Sequence, residues 1–147
     1  MAQILKVLAT ALLLAAWLLR AAAAGELMTA DQMRGEFDGH SITGYYTRDH
    51  IGFIEVYLGG GGIEYNDTEG SDTGKWSIAG GAFCTFYDHM SGACWYVVKE
   101  QPNCYEFYDA GDFGGEAATP GSMLKHEIRA RAARDGGRLT CEPWVGS

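Results

Sequence analysis

Seven short runs of alternating or apolar residues, at 41–48, 53–58, 63–66, 75–79, 82–87, 93–99 and 104–108, follow one another along the chain, each bounded by Gly, Asp, Asn or Pro. Each has the length of a strand, and the connections are too short for the crossover that a parallel pair requires. This stretch therefore predicts an antiparallel meander. At 53–58 the alternation is clean: Ile54, Val56 and Leu58 share one face, with Glu55 on the other. At 75–79 Trp76 and Ile78 share a face against Lys75 and Ser77. At 93–98 it fails, because Trp95 and Val97 point one way and Tyr96 and Val98 the other. A strand that is apolar on both faces needs cover on both sides, so the sheet is expected to be closed or helix-covered. Strand number alone does not fix the shear and leaves that choice open.

The cysteines constrain the pairing. Cys84, Cys94, Cys104 and Cys141 make an even number, and four cysteines allow three pairings. A hairpin whose loop is 87–91 is centred on His89 and sets Cys84 opposite Cys94. Facing Cα atoms in an antiparallel pair lie roughly 4.5–5.5 Å apart, within disulfide range. Cys84–Cys94 is thus the preferred bridge, leaving Cys104–Cys141 to tie the tail back to the sheet. Closing that longer loop is worth roughly 3–4 kcal/mol in the chain-entropy model.

Residues 1–24 read as a signal peptide: a short basic start ending at Lys6, an apolar run at 7–19, and small residues before a cut between Ala24 and Gly25. The apolar run falls short of a bilayer span, so no membrane span is expected after processing. Residues 25–147 then form one exported domain, periplasmic or secreted, where cysteines oxidise. Of 19 acidic and 11 basic side chains in the full sequence (net charge −8), only Lys6 and Arg20 fall in the leader, so the remainder carries −10. Such a charge argues against nucleic acid or anionic lipid as partner. Thr29 and Gln32 form a capping box that predicts a short helix at 30–36. The segment 122–134 is ambiguous between helix and strand, and is read as an extended edge with solvent-facing arginines, followed by a turn and a last strand at 138–141.

Several pieces of the sequence, taken together, resemble a family of small exported proteobacterial proteins catalogued as a domain of unknown function. They are Leu27-Met-Thr-Ala-Asp-Gln32, Gly39-His-Ser-Ile-Thr-Gly44, Gly74-Lys-Trp-Ser-Ile78, Phe83-Cys84, Cys94-Trp-Tyr-Val97, Tyr105 and a late Gly-Arg-Leu-Thr-Cys141. The resemblance implies a mainly β, barrel-like or lipocalin-like periplasmic domain, and it implies no activity. The Gly-rich run at 58–62 departs from the family's simple turn.

Catalytic patterns are weak. Gly39-His-Ser-Ile-Thr43 misses G-x-S-x-G at its last position and follows no strand. His40, His50, His89 and His126 sit in separate turns or near strand ends without metal spacing. The acidic loops 66–72 and 109–116 gather oxygen ligands but do not match a calcium-loop order, and read as solvated turns. The positive signal is aromatic: 14 of the 18 aromatic residues fall between Tyr45 and Tyr108. A sheet this small cannot bury them all, so some should line a cavity or form a surface patch. Tyr46, Tyr57, Trp76, Trp95, Tyr96 and Tyr105 are the candidate binding aromatics. The sequence thus reads as a non-enzymatic binding module without cofactor or metal. It would take a small apolar ligand in a barrel interior or a protein partner on an aromatic face. The alternative is an acidic exported inhibitor or envelope-stress protein acting on a basic hydrolase, steered by charge.

Overall fold

The computed structural model describes residues 25–138 and Cys141. The expected leader and its cleavage point before Gly25 lie at or beyond the edge of the described residues. A two-residue strand β1 (Glu26–Leu27) leads into helix α1 (Ala30–Phe37), followed by β2 (Ser41–Tyr46), β3 (Gly52–Leu58), β4 (Gly62–Asp67), β5 (Ser71–Ala79), β6 (Ala82–Tyr87), β7 (Ala93–Gln101) and β8 (Cys104–Asp109). A 3-10 turn (Ala110–Phe113), a short helix α2 (Pro120–Met123) and β9 (Ala130–Arg134) complete the chain. None of these helices is long and apolar enough to cross a membrane.

Strands β2 to β8 pair in sequence order, all antiparallel, and β9 inserts between β8 and β2 to close an eight-stranded up-and-down barrel. Of the segment 122–134 expected as an extended edge, Ala130–Arg134 is the closing strand, whereas Ser122 and Met123 end helix α2. Its alternation is genuine, with Ala130 and Ala132 buried inward, but a strand with two free neighbours has no solvent edge left. Its arginines are paired as well: Arg131 Nε lies 2.9 Å from Glu106, and Arg134 reaches Glu36 at 2.7 Å. Closure brings β2 and β9 very close at Gly44, where a Cβ would sit 2.3 Å from the Arg131 carbonyl oxygen. Residues 139 and 140 of the expected last strand lie outside the described residues, and Arg138 is not in a strand.

The hairpin register predicted from symmetry is present: Phe83 faces Trp95, Cys84 faces Cys94 and Thr85 faces Ala93. Cys84–Cys94 and Cys104–Cys141 are both bonded, with Cα separations of 3.9 and 5.0 Å. Two such bridges belong to an oxidising compartment. At the Gly-rich run Leu58 pairs with Gly62, and the turn is made by Gly60 and Gly61 at φ of 87° and 90°, a region that disfavours other residues.

The clean face of β3 points the unexpected way. Phe53, Glu55 and Tyr57 face the interior, while Ile54 and Leu58 are exposed on the outer surface. By contrast Trp76 and Ile78 pack against the interior as the alternation of β5 implies. The two-faced β7 is covered twice. Trp95 and Val97 join the barrel core, and Val98 and Tyr96 pack outside with Tyr108, Phe113, Met123 and Leu27.

Helix α1 closes one end of the barrel. Its capping box is formed, with Thr29 N–H donating to Gln32 Oε1 at 2.7 Å and Gln32 N–H donating to Thr29 Oγ1 at 3.3 Å. Met33 and Phe37, one helical turn apart, are both fully buried. The Phe37 ring lies 5.1–5.6 Å from those of Phe83, Tyr105 and Tyr57. Beside it Glu36 accepts hydrogen bonds from Lys99, Tyr105 and Arg134, which belong to β7, β8 and β9. Partial burial of Glu36 opposes ionisation, but these donors and the charges of Lys99 and Arg134 hold its carboxyl below the usual range. Truncating the plug in Phe37→Ala should lower unfolding free energy by about 3–5 kcal/mol in urea titrations. Non-reducing peptide mapping should recover Cys84 with Cys94 and Cys104 with Cys141.

Candidate functional site

The end of the barrel opposite α1 opens into a cavity of about 310 Å³. The period of two along each strand decides which side chains enter it. Tyr46 comes from the end of β2, Phe53, Glu55 and Tyr57 from β3, Thr85 and Tyr87 from β6, and Trp95 from β7. Phe83 and Phe107 form its deeper wall, and Ser91, Gly92 and Ala93 form part of the rim. The volume is about twice the roughly 150 Å³ that accommodates benzene.

A single carboxyl is set into this apolar wall. Glu55 is 7% exposed, and its two oxygens accept hydrogen bonds from the Tyr57 and Tyr87 hydroxyls. Burial pushes the Glu55 carboxyl above its ordinary value, against the stabilising effect of the two phenols. Burial and the neighbouring carboxylate also push the Tyr57 and Tyr87 hydroxyls upward, so both remain proton donors at neutral pH. A second set of hydroxyls runs to the rim. Tyr46 and Tyr65 lie 3.3 Å apart, and Tyr65 donates to Asp67 at 2.7 Å. The Tyr65 bond, with the backbone N–H groups of Glu69 and Gly70, holds the Asp67 carboxyl below its usual range against the opposing effect of burial.

Among the candidate aromatics, Tyr46, Tyr57 and Trp95 line this cavity, and the structure places the other three elsewhere. Trp76 stacks 5.6 Å from Phe83 in the barrel wall and donates its indole N–H to the Leu58 carbonyl at 3.2 Å. Tyr96 is on the outer face, 4.9 Å from Phe113. Tyr105 is fully buried at the plugged end, bound to Glu36. Sequence reasoning missed Glu55, Thr85 and Tyr87. A signal for Glu55 was present: an acid flanked two residues away on either side by Phe53 and Tyr57 shares its strand face with two rings.

The other polar clusters are used locally. His40 pairs with Asp135, and His89 with Asp72, each at 2.9 Å. Asp72 also accepts the backbone N–H groups of Thr73, His89 and Met90. With the His89 imidazole as the largest influence, these bonds bring the Asp72 carboxyl down to about 2. In the acidic loops Asp67 and Asp109 likewise cap their own turns, while Asp112 binds Arg129 at 2.8 Å.

These features define an eight-stranded, disulfide-braced β-barrel with a ring-lined interior site built around one buried carboxyl. No protein-family model matches the chain, and neither the curated proteins nor the solved structures contain a match.

The raised Glu55 carboxyl has a consequence for stability. A carboxyl that ionises later in the folded than in the unfolded chain stabilises the fold below the unfolded pKa, and that contribution is lost as pH rises through the folded value. Glu55→Gln removes the dependence. Its stability relative to wild type should therefore rise from pH 4 upward, by at most about 1.4 kcal/mol per pH unit until Glu55 is ionised. Thermal melts of both proteins from pH 4 to 8 would read this, and parallel curves would contradict it.

Proposed function

We propose that the protein is a non-enzymatic binding module of the periplasm, released from its leader before Gly25, that takes a small, largely apolar ligand into the barrel. The observation that carries this reading is the cavity itself. It opens at one end, is lined by aromatic rings, and carries few polar groups, the usual composition of a small-molecule site. The plugged end supports the same reading, because Phe37 packs against Tyr57, Phe83 and Phe107, which line the cavity, and backs its deeper wall.

An aromatic surface patch for a protein partner has less support. Among the exposed large hydrophobic side chains of the described residues, Phe86 is the sole aromatic, accompanied by Ile54, Leu58, Met90 and Leu124. Most of the rings turn inward instead, and a ligand that meets those rings must enter the barrel.

Native mass spectrometry of protein purified from the periplasm should show a retained small-molecule mass. Ala93→Phe is the matching control, since residue 93 lies at the rim and a ring there occupies the mouth. This variant should keep its fold, with a stability loss of no more than about 1–3 kcal/mol, and should lose the retained mass. Equal retention by both proteins would place the ligand elsewhere and overturn the reading.

A further inference from the structure

The cavity wall contains a carboxyl and no base. None of its lining residues is Lys, Arg or His. The basic side chains nearest in sequence order to the barrel's closing strands are committed elsewhere: Lys99 and Arg134 to Glu36, Arg131 to Glu106, and Arg129 to Asp112 and Glu127. Two phenolic O–H groups satisfy one lone pair on each Glu55 oxygen, and a carboxylate has about four acceptor positions, so acceptor capacity remains. A buried carboxylate without a cation is costly, and hydrogen bonds from neutral donors offset only part of that cost.

From these observations we propose that the cavity's ligand is a protonated amine on a compact aromatic or apolar body, with its ammonium bound to Glu55. The inference rests on the reading of the barrel as a small-molecule site and specifies what that site takes. An ammonium supplies both the missing counter-charge and the N–H donors for the free lone pairs, in a charge-assisted hydrogen bond. Tyr46, Phe53, Tyr87 and Trp95 line the same space, and aromatic rings attract a cation. The remaining apolar wall and the volume of about 310 Å³ fit a body of one or two rings.

The field at the mouth has the matching sign. Tyr46 stands at the opening, and after burial the carboxylates of Glu55, Asp67 and Asp49 are among the influences that raise its hydroxyl. The full sequence, at −8, adds an attraction of the same sign over longer range. An anionic ligand would be repelled by Glu55, and a neutral one would bring no charge opposite to it.

The test compares 2-phenylethylamine with 2-phenylethanol, which has nearly the same shape and no charge, by calorimetry at pH 7.5 on wild type and Glu55→Gln. The amine should bind wild type roughly ten- to a hundredfold more tightly than the alcohol. In Glu55→Gln that preference should vanish, and a far-ultraviolet circular dichroism spectrum matching wild type shows that the variant is folded. Equal binding of the two probes to wild type would overturn the amine assignment and leave the cavity reading standing. An amine preference that survives in folded Glu55→Gln would overturn Glu55 as its partner. Binding of neither probe would overturn both. The wild-type comparison decides the charge preference even if the variant fails to fold.

Discussion

The insertion of β9 between β8 and β2 is the constraint on which the rest of the structure depends. A sheet of β2 to β8 alone would expose two edges and leave its inner face open to water. Closing it satisfies both rows of backbone groups at once and turns one face of every strand into an interior. The chain meets that geometric demand with its smallest side chains. Gly44 on β2 faces Ala132 on β9, and Ala130 and Ala132 are the residues β9 turns inward. Bulkier residues at this seam would hold the two strands apart, and the interior would no longer be a defined volume.

With the wall closed, the two ends become different. At one, α1 inserts Phe37 among Tyr57, Phe83, Tyr105 and Phe107. Glu36 then fastens the helix to the three consecutive strands that complete the closure. The adjacent residues of one helical turn thus divide the work, apolar packing inside and charge pairing at the rim. At the other end no comparable plug is present among the described residues, and the interior rings are left around space. The buried carboxyl sits on that side, on a strand whose neighbours along the same face are Phe53 and Tyr57.

Much of the fold was legible because it depends on local rules. The capping box of Thr29 and Gln32, the strand runs and the Cys84–Cys94 register each follow from spacings of ten residues or fewer. The doubly apolar β7 was legible too, since its two clusters are both real. The site was harder to read for a definite physical reason. In Phe53-Ile-Glu-Val-Tyr-Leu58 both faces carry large apolar side chains, and the polarity of Glu55 alone points the strand the wrong way. The interior of a barrel accepts a carboxyl when distant residues supply its partners, and Tyr87, one of the two donors, lies 32 positions away. The strand within 122–134 was misread as an edge on the same principle, since the second neighbour of β9 is a strand more than eighty residues earlier.

The plug made by Phe37 also bears on timing. Under the binding reading proposed above, a ligand in a barrel filled at one end by Met33 and Phe37 would leave by the path it entered, in reverse order. The group that went deepest would be the last to regain water, and entry and departure would share the mouth lined by Tyr46, Gly92 and Ala93. Residence time would then depend on the short rim loops as much as on the walls.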